Sequence, residues 1–290
     1  MRFFNTAGPV NCEDHYCLPP LTRFNLSEIL ELIRQKKYFV LHAPRQSGKT
    51  SCLMALRDYI NHEEQYYAVY VNVEVGQTAR GDVKRGIKAI ITQLAYEAEE
   101  TLNDRSLIEQ RNTIIEDSGE DAALAVILSQ WCKQLDRPLV LLIDEIDALV
   151  GDTLISVLRQ LRSGYPNRPA SFPLTVILCG VRDVRDYRIH SDKDQMIITG
   201  GSAFNIKAES LRLGNFSADD IQTLCRQHTN ETGQVFDEDA LAAIWHLTSG
   251  QPWLVNALAY ETCFNVLSCL KEEIGKIRSQ NRWLKKRRNA

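Results

Sequence analysis

The chain has 290 residues, 24% of them charged and 44% hydrophobic, with a formal net charge of −3, the balance of a globular protein of one large or two smaller domains. Its 15 Gly and 9 Pro exclude a collagenous or low-complexity chain. No apolar run approaches the roughly 18 residues of a membrane span, so no membrane association is expected. The start, Met1-Arg2-Phe3-Phe4-Asn5, turns polar at once and predicts no secretory leader. Eight cysteines, at 12, 17, 52, 132, 179, 225, 263 and 269, include no Cys-x-x-Cys pair. They are expected as reduced core thiols of a cytoplasmic protein.

Residues 1–27 lack periodicity and carry the turn signals Gly8-Pro9 and Pro19-Pro20. A helical pattern starts at Ser27, with Ile29, Leu30, Leu32 and Ile33 on one side. Tyr38–His42 reads as an apolar strand. It runs into the loop Ala43-Pro44-Arg45-Gln46-Ser47-Gly48, and Lys49-Thr50 opens a helix through Tyr59. Tyr67–Val73 alternates aromatic and β-branched residues as a strand does. Residues 82–135 predict helix with one break near Asp117-Ser118-Gly119. Pro138–Ile143 is a continuous apolar run, the pattern of a strand buried on both faces. Thr153–Leu161 is helical, Leu174–Cys179 is another buried strand, and Phe204–Leu213 is a fifth, partly polar one. Strands alternating with helices imply a parallel sheet covered on both sides.

From Phe216 the pattern is helical only. Ser217 and Asp220 are placed as a capping box and Phe216 with Ile221 as a hydrophobic staple. Thr232-Gly233-Gln234 closes that helix, and Asp237 caps the next. Ser249-Gly250-Gln251-Pro252 ends the second, with Pro252 in the first turn of a third helix reaching Leu270. Trp245 and Trp253, eight apart, are expected near one helical face as core. The expected organisation is an N-terminal segment 1–27, an α/β domain 28–214, a helical lid 215–270 and a basic tail 271–290.

Three segments carry chemistry. Ala43-Pro44-Arg45-Gln46-Ser47-Gly48-Lys49-Thr50 matches a phosphate-binding P-loop, with Ala43 in place of its first Gly, between a strand and a helix. Backbone N–H groups from this loop through Ser51, at the start of a helix, suit phosphate oxygens. Lys49 would reach the β- and γ-phosphates and Thr50 would ligate magnesium. Ala43 is compatible if its φ stays negative. Second, the buried strand before Asp144-Glu145 has no packing reason to end in two carboxylates. Asp144 suits a magnesium ligand and Glu145 a base for the attacking water, with Asp147 the next candidate. Only one strand, Tyr67–Val73, lies between these two motifs, and Glu follows the magnesium Asp. The combination marks the additional-strand, catalytic-Glu branch of α/β P-loop NTPases, with a parallel sheet of order 5-1-4-3-2 beside a small all-helical lid. Third, Val176–Asp183 places Arg182 at the end of a strand next to the P-loop strand, suited to sensing the γ-phosphate; the alternative is a surface Arg paired with Asp183 or Asp186. Arg159 and Arg162 are candidates for a finger acting on a neighbouring subunit. Asn72 and Glu74 read as a turn.

The Ala43–Thr50 loop, Asp144-Glu145, Cys179-Gly180-Val181-Arg182 and Ser249–Pro252 resemble the AAA-like, signalling-type (STAND) ATPases and their archaeal-type relatives. The start, Phe4–Pro9 with His15-Tyr16, is similar to that of bacterial AAA-like ATP-binding proteins, and the resemblance spans roughly residues 3–265. It implies ATP rather than GTP, adenine contacts from the segment around His15–Leu21, with His15 and Tyr16 as the candidate residues, and a lid whose turn near Pro252 closes on the nucleotide.

The expectation is a Mg-ATP-dependent switch with slow hydrolysis, working with a protein partner or by self-association. Two alternatives are a nucleic-acid motor or loader and a non-hydrolysing ATP-binding scaffold. Residues 271–290 hold eight Lys/Arg against two Glu, a balance of +6, which leaves −9 on the remainder. That remainder argues against nucleic acid, for which the tail is the one candidate contact. Glu145 argues against the scaffold. The six histidines show no His-x-x-x-His spacing, so no metal beyond nucleotide magnesium is expected.

Overall fold

The computed structural model describes residues 1–191, 196–200 and 204–266. The described residues fold as two compact units: Pro20–Arg45 with Lys49–Gly214, and Met1–Pro19 with Gln46–Gly48 and residues 215–266. The chain opens with two short strands, β1 (Phe3–Phe4) and β2 (His15–Tyr16), described below with the second unit.

The first unit begins with α1 (Leu26–Arg34), where Asn25 caps the helix by accepting the N–H of Glu28. Strands β3 (Tyr38–His42), β4 (Tyr67–Asn72), β5 (Leu139–Asp144) and β6 (Thr175–Gly180) follow, interleaved with helices. The antiparallel pair β7 (Arg188–Ser191) and β8 (Met196–Thr199) comes next, then β9 (Lys207–Arg212). Five strands pair in the order β4-β5-β6-β3-β9, all parallel. Numbered along the chain within this sheet, that is the expected 5-1-4-3-2, with β6 between the P-loop strand β3 and the carboxylate strand β5.

Strand alternation divides the core into two layers. Tyr38, Val40, Val69, Val71, Leu141, Ile143, Val176 and Leu178 face one side, where α3 (Val83–Leu102), α5 (Ala123–Gln134) and α6 (Gly151–Ser163) bury residues such as Ile91, Trp131 and Leu158. Phe39, Leu41, Ala68, Tyr70, Val140, Leu142, Ile177 and Cys179 face the other, against Ile29 and Ile33 of α1 and Leu53 and Leu56 of α2 (Lys49–His62). Burial on both sides is why β5 and β6 read as unbroken apolar runs.

The expected 82–135 helix breaks twice rather than once. Besides Gly119, which ends α4 (Ser106–Ser118), Asn103 turns left-handed at φ 54° and closes α3. Asn tolerates that conformation through its short polar side chain. The β7–β8 hairpin had no periodic signal.

In the second unit, β1 and β2 pair in parallel and place Phe4 and Tyr16 in a core with Phe216, Ile221, Leu224, Ile244 and Val255. Its helices are α7 (Ala218–Thr232), α8 (Glu238–Thr248) and α9 (Pro252–Tyr260), followed by a π-helical turn over Glu261–Val266. Ser217 and Asp220 form the reciprocal capping box, Gly233 at φ 76° ends α7, and Asp237 caps α8. The third helix was expected to reach Leu270; residues 267–290, with the basic tail, lie outside the described residues.

Two expectations are corrected. Trp245 is 41% exposed rather than core. The helix ends at Ser249, so the periodicity linking it to Trp253 is not carried through; Trp253 instead donates its indole N–H to Thr6 O at 2.8 Å. Nor are all the cysteines reduced core thiols. Cys12, in the loop before β2, and Cys17, the residue after β2, form a disulfide with Cα atoms 5.5 Å apart. Their separation of 5 residues lies outside the Cys-x-x-Cys spacing. Cys52, Cys132, Cys179, Cys225 and Cys263 are free and buried.

Candidate functional site

Strand β3 ends at His42, and the loop to α2 passes through two left-handed residues, Gln46 at φ 59° and Gly48 at φ 87°. Gly48 meets that demand without steric cost. Ala43 is not among the positive-φ residues, so its methyl costs no backbone strain, and its N–H donates to Gly180 O at 3.2 Å. Ser47 and Lys49 are buried. The Lys49 ammonium donates to the carbonyls of Ala43 and Pro44, 3.1 Å each, so the loop closes around its own lysine. Pro44, Arg45 and Gln46 form the exposed rim, and Ser51 is half-buried in α2.

Asp144, at the end of β5, is 0% exposed. Its Oδ2 accepts from the Thr50 hydroxyl at 2.7 Å and from the Tyr70 hydroxyl at 3.0 Å, and its Oδ1 accepts the N–H of Glu145 at 2.9 Å. Glu145 is left-handed at φ 55° and begins the 3-10 turn Ile146–Ala148. Burial, then the neighbouring charges of Asp144 and Asp147, push its carboxyl above the ordinary range, opposed by Lys49. A carboxylate held this way is a better proton acceptor than a free one.

Asp147 is tied elsewhere: its Oδ1 accepts the N–H of Val181 at 3.0 Å, joining the end of β5 to the end of β6. Arg182 follows, exposed, with its carbonyl accepting from the Tyr187 hydroxyl at 3.4 Å. The Cys179 thiol lies on the same side of the sheet as Tyr70, and burial, then the nearby charge of Asp144, pushes it well above its ordinary value.

Lys49, Thr50, Asp144 and Glu145 thus converge at the carboxyl end of the central strands. Arg159 and Arg162 are exposed on α6, and Asn72 makes the expected turn by accepting the N–H of Glu74 at 2.8 Å. His15, Tyr16 and Pro252 belong to the second unit. There the His15 Nδ1 accepts the N–H of Asn11. The Tyr16 ring is enclosed beside Phe4 and His228, with its hydroxyl donating to Glu231 at 3.2 Å. Pro252 is buried at the first turn of α9. Sequence reasoning missed Tyr70 and the tie made by Asp147.

Mg2+ prefers one or two protein oxygens completed by water and phosphate. The hydroxyl of Thr50 beside the carboxylate of Asp144 is a donor set of that kind. Among the described residues no cluster of three or more His, Cys, Asp or Glu offers an all-protein metal site. No helix among them is long and apolar enough to cross a membrane.

A loop that wraps its own lysine at the head of a helix, facing a carboxylate two strands away, defines a P-loop ATPase fold of the AAA-like kind. The family model described as AAA-like domain matches residues 23–272, and the chain belongs to that family. Among solved structures, the Walker-type ATPase of Pyrococcus abyssi is similar at 15% identity and a TM-score of 0.57, over 98% of this chain and 79% of that one. Cdc6p from Pyrobaculum aerophilum is similar at 18% identity and a TM-score of 0.51, over 86% of this chain and 61% of that one. No curated protein matches the sequence.

Proposed function

We propose that the chain binds Mg-ATP at the Ala43–Ser51 loop and hydrolyses it slowly, as a nucleotide-dependent conformational switch. The observation that carries the reading is the Thr50 hydroxyl 2.7 Å from the buried Asp144 carboxylate, next to a buried lysine. Thr50 and Asp144 would hold Mg2+, which would neutralise phosphate charge when bound. Lys49 would exchange its two carbonyl partners for β- and γ-phosphate oxygens. Glu145 would accept the proton of the water that attacks the γ-phosphorus as the bond to the β–γ bridging oxygen breaks. Arg182 would sense the γ-phosphate from the end of β6. His15, Tyr16 and Pro252 are proposed on the nucleotide's adenine and lid sides through the family resemblance.

Two compact units in one chain support the switch. Slow turnover follows if a stabilising arginine must come from outside the site, either from Arg159 or Arg162 of a second copy or from a protein partner. Calorimetric titration with ATP, with and without Mg2+, together with phosphate release, tests the reading. Binding with slow release is expected, and no binding at millimolar ATP overturns it.

A further inference from the structure

The side chains around Asp144 hold a residue whose hydroxyl has no packing reason to be there. Tyr70, on β4, is 6% exposed, and its ring packs in the apolar layer between the sheet and α2. A phenylalanine would fill that layer equally well. The β4–β5 register pairs Tyr70 with Leu142 and Asn72 with Asp144, which sets Tyr70 diagonally beside Asp144 on one side of the sheet. An aromatic side chain spans that diagonal. The hydroxyl reaches Asp144 Oδ2 at 3.0 Å, the same oxygen that accepts from Thr50 at 2.7 Å, and it also lies against the Thr50 hydroxyl itself.

We infer that Tyr70 is a positioning residue for the magnesium ion, orienting the Asp144 carboxylate and the Thr50 hydroxyl from the neighbouring strand. The inference rests on the Mg-ATP reading above. A fully buried carboxylate needs donors that satisfy its oxygens and hold its rotamer. Thr50 and the Glu145 N–H supply two of them, and Thr50 must also offer a lone pair to the metal. Tyr70 is rigid, anchored in the sheet and free of any metal duty. It therefore keeps Oδ2 aimed at Thr50 whether or not the ion is present, as outer partners of metal ligands do elsewhere.

The test is Tyr70→Phe, read by binding rather than turnover. Fluorescent ADP is titrated in EDTA, and Mn2+ is then titrated into the ADP complex and followed by electron paramagnetic resonance. The expected result is ADP affinity in EDTA within about twofold of wild type and Mn2+ affinity weaker by about tenfold, at the low end of losses for outer-partner variants. Unchanged Mn2+ affinity overturns the inference. So does an equal loss of ADP affinity with and without metal, which would mark a structural role. If the Phe variant does not fold, Tyr70→Met is read the same way, and failure of both to fold assigns Tyr70 to stability alone. A wild type that binds no ADP, or binds it without responding to Mn2+, refutes the Mg-ATP reading instead.

Discussion

Gly180 and Asp147 meet more closely than any side chain at position 180 would allow: a Cβ there would lie 2.8 Å from Asp147 Oδ1. The same oxygen accepts the N–H of Val181. Gly180→Ala must therefore push Asp147 away or shift Ile146 and the Tyr187 hydroxyl, each 3.0 Å from the added carbon. Overpacking of this kind costs about 1–3 kcal/mol. Urea unfolding should show that loss in the sheet unit, whereas Asp147→Asn, which keeps the carbonyl acceptor, should lose less. Equal stability of Gly180→Ala and wild type would contradict the contact.

Lys49→Ala should weaken ATP binding by more than tenfold. The ammonium is the buried cation of the loop, and a charge-assisted hydrogen bond contributes about 1.5–3 kcal/mol. Calorimetry checks it, and equal affinities would remove the loop from the nucleotide site.

Glu145→Gln should retain ATP binding and slow phosphate release by about 10²–10⁴-fold, the usual span for loss of a general base. Undiminished release would move the base elsewhere, with Asp147, whose Oδ1 accepts the Val181 N–H, the next candidate.

Turnover per chain should rise with protein concentration if an arginine acts in trans, since such a finger adds about 10³–10⁵-fold. Arg159→Ala or Arg162→Ala should then remove the rise and spare ATP binding. A fast rate independent of concentration argues against a finger from a second copy.

The Cys12–Cys17 bridge closes a short loop, for which the chain-entropy estimate is about 2 kcal/mol. Cys12→Ser with Cys17→Ser should lower the melting temperature of the second unit. Mass spectrometry of the intact wild type should read two hydrogens fewer than the reduced chain, and a fully reduced mass in air-equilibrated protein would contradict the bridge.

How much could be read in advance depended on how local each feature was. The loop Ala43–Thr50 and the pair Asp144-Glu145 are contiguous, and their flanking strands β3 and β5 are apolar runs, so both were legible. Tyr70 and Asp147 were not, because their roles depend on which residue sits across the strand. Tyr70 reaches Asp144 only in the register that pairs Asn72 with Asp144, and Asp147 reaches Val181 only because β6 lies beside β5. The two-residue strands β1 and β2 carry no period to detect; the burial of Phe4 and Tyr16 defines them. The break at Asn103 hid behind a residue that also occurs inside helices, unlike the Gly that ends α4.

If Lys49 binds phosphate as proposed, the hold of Ala43 and Pro44 on its ammonium would make ligand entry a swap rather than a capture. A nucleoside without phosphates would offer the amine nothing better than the two neutral carbonyls it already has, so it would gain no free energy from this residue. A phosphorylated ligand would replace both with charged oxygens, and its advantage would be the difference between two acceptor types in the same enclosed place. On that reading the loop would act as a charge filter, and the two released carbonyls would have to find water or backbone partners before the exchange is complete.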